Sequence, residues 1–251
     1  MNLPCLEISN LPDLDFAGNE AFNVLATNIS CYGSEIKTIL VTSRYKKEGK
    51  TFVSMNLLRT LASLQKRVVL VDADLRQLQI MHKQGVHSEE DSRYGLAQYL
   101  AGKCGMERIV YQTNIPNTWI VPIGQAVHNS LQHLSSGRTR ELMDDLRKRF
   151  DLVIVDAPSV GGRADAIEMA KLCDGALIVV GYNRGKRKDI GEAAEAIDKT
   201  GCRVLGSVLN NVDFRAFICR RHYYKSEQYA VYYQKDDDGS ELSREQIREG
   251  F

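Results

Sequence analysis

The 251-residue sequence predicts an α/β fold, a mostly parallel β-sheet flanked by helices on both faces. Three observations carry this. Short apolar runs such as Val68–Val71 and Leu152–Val155 alternate with amphipathic segments, as strands buried on both faces require. Two of these runs close on a carboxylate, Asp72 and Asp156. A third, Ile39–Val41, leads through Gly49-Lys50-Thr51 into a segment of helical period. Strand, glycine-lysine-threonine, helix is the order of a phosphate-binding P-loop, so the class is a P-loop NTPase fold.

The elements follow in order. Residues 1–18 hold Pro4 and Pro12 and lack a clear period, which reads as an N-terminal arm. Residues 19–31 place Phe22, Leu25, Ala26 and Ile29 on one helical face. A strand over 37–42, the loop through Gly49, and a helix bearing Val53, Leu57, Leu58 and Leu61 come next. The strand 67–71 ends in Asp72-Ala73-Asp74; residues 84–94 are polar and read as a loop, and a short helix follows at 96–101. Further strands are expected at 119–122, 150–156, 176–181 and 203–210, with helices over 138–149, 164–172 and 188–199. The domain spans 19–214, and 215–251 is a tyrosine-rich segment with a polar tail that reads as mobile.

In a parallel sheet, ligands bind beyond the carboxyl ends of the strands, where Thr42, Asp72, Asp156 and Asn210 all fall. A P-loop presents backbone N–H groups and a helix N-terminus to phosphate oxygens. Lys47, Glu48 and Gly49 make up the end of this loop; Lys50 would reach the β and γ phosphates and Thr51 would offer a hydroxyl to Mg²⁺. The strict pattern wants glycine at 44, where Arg44 stands. Asp72 and Asp156 could hold Mg²⁺ or its waters, although either alone could be a helix cap or turn residue. Asp74 could take a proton from an attacking hydroxyl, or cap a turn.

The segment from Tyr223 to Tyr233 holds five of eleven tyrosines, Tyr223, Tyr224, Tyr229, Tyr232 and Tyr233, in polar surroundings without a core period. Stacking on nucleic acid, phosphorylation, or an aromatic docking surface are the three uses open to it. The basic run Arg184–Lys188 reads as a solvated helix start or a phosphate contact. With 33 Lys and Arg against 32 Asp and Glu, the charge gives no reason to expect nucleic-acid binding. Six scattered cysteines argue against a zinc or iron–sulfur site and fit a reducing compartment. No apolar run approaches the ~20 residues needed to span a bilayer, and no signal peptide opens the chain. A cytoplasmic protein is expected, reaching the inner face of the plasma membrane only through a partner.

On these residues the chain resembles the bacterial tyrosine kinases (BY-kinases) of capsule and exopolysaccharide synthesis, a P-loop class akin to MinD/ParA proteins. Gly49-Lys50-Thr51 matches Walker A, Val71-Asp72-Ala73-Asp74-Leu75-Arg76 matches Walker A′, and Val153-Ile154-Val155-Asp156-Ala157-Pro158 matches Walker B. Gly95-Leu96, Leu100-Ala101-Gly102, Val208-Leu209-Asn210 and the tyrosine cluster extend the likeness from about Glu20 to Tyr233. The resemblance implies ATP and Mg²⁺ as ligands. Thr51, Asp72 and Asp156 would organise the metal, Lys50 would bind phosphates, Asp74 would be the base and Asn210 would contact adenine. It also implies autophosphorylation of the tyrosine cluster within a homo-oligomeric ring, and a separate transmembrane activator that regulates chain length.

The chain departs from the family at three places. Lys46-Lys47-Glu48 replaces the usual Pro-Gly-Glu, which removes a glycine suited to positive φ. The contact motif Glu-x-x-Arg-x-x-Arg keeps Glu20 but has Asn23 and Ala26 for its arginines. Arg76-Gln77-Leu78 stands for Arg-Arg-Pro. Two other readings remain beside the kinase: a nucleotide-binding scaffold without turnover, and a MinD/ParA-type ATPase, against which Tyr45 stands at the signature lysine position.

Overall fold

A computed structural model describes residues 5–76, 86–87, 94–127 and 129–212, with only the backbone of 86–87. Tyr223, Tyr224, Tyr229, Tyr232 and Tyr233 lie outside these residues, as do Gln77 and Leu78. The chain divides into two units, Met1–Asn210 and Asn211–Phe251, and the sheet and its helices belong to the first.

The strands are β1 (Cys5–Ile8), β2 (Thr38–Ser43), β3 (Val68–Asp72), β4 (Val86–His87), β5 (Tyr111–Thr113), β6 (Thr118–Val121), β7 (Leu152–Asp156), β8 (Gly175–Gly181) and β9 (Arg203–Asn210). The α-helices are α1 (Phe16–Ser30), α2 (Lys50–Ser63), α3 (Leu96–Leu100), α4 (Ser130–Leu134), α5 (Gly137–Arg149), α6 (Ala164–Ala170) and α7 (Arg187–Asp198). The strands form one sheet in the order β4-β1-β5-β6-β3-β7-β2-β8-β9. From β6 to β9 all neighbours run parallel; β5 is antiparallel to β6, and β4 to β1.

The mostly parallel P-loop fold is the one expected. Pleating sends alternate residues of each central strand to opposite faces. Leu40, Val69, Val71, Val153 and Val155 join one core. Ile39, Val41, Val68, Leu70 and Ile154 join the other, with Val53, Leu57, Leu58 and Leu61 of α2. Burial on both faces explains why β2, β3 and β7 read as unbroken apolar runs.

The expected arm contains β1, whose Leu6 and Ile8 point inward while Cys5 and Glu7 are exposed. Strand β1 pairs with β5, which makes it sheet rather than arm. The polar stretch 84–94 contains the two-residue strand β4. Helix α1 begins three residues earlier than its apolar spacing suggests, because the Asp15 carboxylate accepts the Gly18 N–H at 2.7 Å and caps it. On α1, Asn23 Nδ2 donates to Glu20 Oε1 at 2.9 Å, and Ala26 is buried in the core. Neither position of the replaced arginines presents a cation to a neighbour.

Candidate active site

The P-loop runs from the end of β2 to the start of α2. Gly49 has φ 91°, in the left-handed region, and a Cβ there would lie 1.8 Å from Asn210 Nδ2. Glycine is therefore required both for conformation and for space. Asn210 Nδ2 donates to the Glu48 carbonyl at 3.0 Å. The buried Glu48 carboxylate accepts from Tyr45 N at 2.7 Å and from Gly181 N at 3.2 Å, and Arg184 Nη1 donates to the Lys47 carbonyl at 3.2 Å. The ends of β8 and β9 thus brace the loop. Lys47 has φ 63°, so the positive φ that a glycine would serve is present and a lysine carries it.

Gly49 contributes no side-chain cap to α2, whose N-terminus opens on this loop and suits an anion. Lys50 Nζ donates to Ser43 Oγ at 3.1 Å, which holds the ammonium at the loop's mouth.

Strands β3 and β7 bring Asp72 and Asp156 side by side in register. Thr51 Oγ1 donates to Asp156 Oδ2 at 2.6 Å and Ser54 Oγ to Oδ1 at 3.3 Å. Burial pushes the Asp156 carboxyl up to about 6, against the pull of Thr51, Lys50 and Ser54. Asp72 Oδ1 accepts the Asp74 N–H at 3.3 Å. Asp74 is itself raised, first by burial, while the charges of Arg163 and Lys50 oppose the shift. Arg163 Nη1 lies 3.3 Å from Asp74 Oδ1.

The donor set consists of one hydroxyl and two carboxylates at neighbouring strand ends. Mg²⁺ takes such hard oxygens and completes its shell with phosphate and water, so the residues fit that ion.

Lys50, Thr51, Asp72, Asp74 and Asp156 are brought together as the motifs suggest. Asn210 and Glu48 sit at the loop, but their side chains brace it: Asn210 through Nδ2, Glu48 through both oxygens. What Glu48 can offer a phosphate is its main chain. Sequence reasoning missed Ser43, Ser54 and Arg163, and it read Arg184 as part of a basic helix start or phosphate contact rather than as a brace on the Lys47 carbonyl. Ser54 was legible, since it follows Thr51 by three positions on the same face of α2. Arg163 lies on the loop after β7 and carries no local signal, and the charge run that begins at Arg184 after β8 does not encode its contact with the P-loop.

Residues 36–184 match the AAA domain family. The chain is 32% identical over 213 residues to the tyrosine-protein kinase CpsD of Streptococcus pneumoniae, which covers 84% of this chain and 92% of that protein. The kinase domain of the Escherichia coli tyrosine kinase ETK superposes with a TM-score of 0.74 at 27% identity, over 79% of this chain and 77% of that one. The cell division ATPase MinD of Pyrococcus furiosus superposes at 0.58 and 25% identity, over 69% of this chain and 71% of that one. No described helix is long and apolar enough to cross a membrane.

Proposed function

Because the chain belongs to the bacterial protein-tyrosine kinases, we propose that it transfers the γ-phosphoryl group of ATP to tyrosines of its own C-terminal segment, in the service of capsule or exopolysaccharide synthesis. The observation that carries this is the convergence of Lys50, Thr51, Asp156 and Asp74 on one strand-end site beside an uncapped helix N-terminus.

In this reading the α2 N-terminus and the Gly49 backbone cradle the phosphates, and Lys50 leaves Ser43 for the β and γ oxygens. Thr51, Asp72 and Asp156 would hold Mg²⁺, which when bound would supply neutralisation of phosphate charge. Asp74 accepts the proton of the incoming tyrosine hydroxyl as its oxygen attacks phosphorus. Asn210 lines the adenine side. Tyr223, Tyr224, Tyr229, Tyr232 and Tyr233 are the acceptors, and a transmembrane activator brings the kinase to the membrane.

The test is to incubate the full chain with ATP and Mg²⁺, with and without the cytoplasmic segment of a membrane activator, and to probe for phosphotyrosine. Phosphotyrosine that disappears in Lys50→Met supports the kinase. The lysine at left-handed 47 favours a second reading, a scaffold that holds nucleotide without turnover. Tight ADP binding with no phosphotyrosine under either condition would establish that reading instead.

A further inference from the structure

Two short segments face each other across the site with opposite charge patterns. Asp74 and Arg76 follow β3, and Arg163 and Asp165 follow β7. Arg163 Nη1 lies 3.3 Å from Asp74 Oδ1, and Arg76 Nε lies 3.6 Å from Asp165 Oδ2. The second pair is locked by a third group. Arg76 Nε donates to Ser130 Oγ at 2.8 Å, Ser130 Oγ donates to Asp165 Oδ2 at 2.8 Å, and both Ser130 and Asp165 are buried.

The loop that carries Arg163 is stitched to the start of the P-loop. Ala157 N donates to Val41 O at 3.0 Å, Val160 N to Ser43 O at 2.9 Å and Gly161 N to Arg44 O at 3.1 Å. A Cβ at Gly161 would lie 2.2 Å from Arg44 O, so only glycine permits that approach. Gly162, next to Arg163, has open space around it. The guanidinium therefore hangs from an anchored loop through one unencumbered residue, beside an aspartate that lies within Coulombic range of Lys50.

We infer that Arg163 senses the terminal phosphate of ATP. Without a γ-phosphate its guanidinium pairs with Asp74. With one, it moves to the phosphate oxygens, whose greater charge and fork-matching geometry outcompete a single carboxylate oxygen. The move frees Asp74 Oδ1 to face the acceptor hydroxyl. No covalent bond changes in this step, and ADP, lacking the group, leaves the pair intact. The inference rests on the kinase reading for the role of Asp74 and on the geometry alone for nucleotide discrimination.

Calorimetry of the full chain with Mg²⁺ tests it, titrating ADP and a non-hydrolysable ATP analogue into wild type, Arg163→Gln and Arg163→Lys. Arg163→Gln is expected to lose about tenfold in its preference for the triphosphate, the scale of one charge-assisted hydrogen bond, with ADP affinity within about twofold of wild type. Arg163→Lys is expected to recover part of that preference. Retained ADP binding shows that each variant is folded. An unchanged ratio, or equal weakening of both nucleotides, overturns the inference. Wild-type protein that discriminates the nucleotides through Arg163 yet forms no phosphotyrosine would overturn the kinase reading and leave the sensor standing.

Discussion

At Asp156, burial and partnership pull in opposite directions. An aspartate in the unfolded chain titrates near 3.8, whereas in the fold burial raises this carboxyl to about 6 despite the hydroxyls of Thr51 and Ser54. The folded state therefore binds the proton more tightly. Its contribution to stability is complete below the unfolded value and is lost as pH rises through about 6, an effect on the order of 3 kcal/mol at most. Urea denaturation of the nucleotide-free protein from about pH 4 to about pH 8 should show wild-type stability falling up to about pH 6 and levelling off above it. Asp156→Asn, which has no charge to bury, should be flatter, and equal slopes would contradict the argument. Lys47 poses a different residue-scale problem, since φ 63° is costly for any side chain and most costly for a β-branched one. Lys47→Gly should leave the protein at least as stable as wild type, gaining about 0.5 kcal/mol after the added unfolded-state freedom of glycine. Lys47→Val should lose about 1–2 kcal/mol. A Gly variant less stable than Val would show that φ is not what matters there.

Among elements, the junction of the P-loop with β9 is where sequence and structure diverge most instructively. Asn210 ends β9, and its amide packs where a Gly49 side chain would have to be. Gly49→Ala should cost at least about 2 kcal/mol, from the clash and from the positive φ together. Adding Asn210→Ala should restore only part of the loss, because φ 91° remains. A double variant as stable as wild type would mean that the clash alone set the cost. The central strands were legible because burial on both faces leaves continuous apolar runs, and β2, β3, β7 and β8 follow the sequence reading to within two residues. The short pieces were not. Strands β1, β4 and β5 have two to four residues each, too few to show a period, and pairing across the sheet defines them. At the site, Lys50, Thr51, Asp72, Asp74 and Asp156 were legible as motif residues at strand ends. Arg163, Arg184 and the bracing role of Glu48 arise from loops meeting in space, which spacing along the chain does not encode.

At the scale of the whole molecule, the first unit ends at Asn210, and the two apolar cores and the strand-end site all fall before that point. A chain cut after Val212 should therefore keep its fold and bind ADP within about twofold of the full chain. It should lack autophosphorylation, since the acceptors are gone. The same truncated protein, supplied with ATP and Mg²⁺, should place phosphate on full-length Lys50→Met chains, which carry acceptors but lack the phosphate-binding ammonium. Phosphotyrosine on that substrate would assign catalysis and acceptance to different parts of the chain and show that one copy can serve another. This bears on assembly, because α1 has Asn23 tied back to Glu20 and Ala26 buried at the two positions where the family resemblance leads one to expect arginines. If exchange between copies requires a stable ring, the mixed reaction should slow steeply on dilution. If transient encounter is enough, the rate should scale simply with the concentration of each chain. Loss of ADP binding in the truncated protein would overturn the division itself, by showing that the site depends on residues beyond Val212.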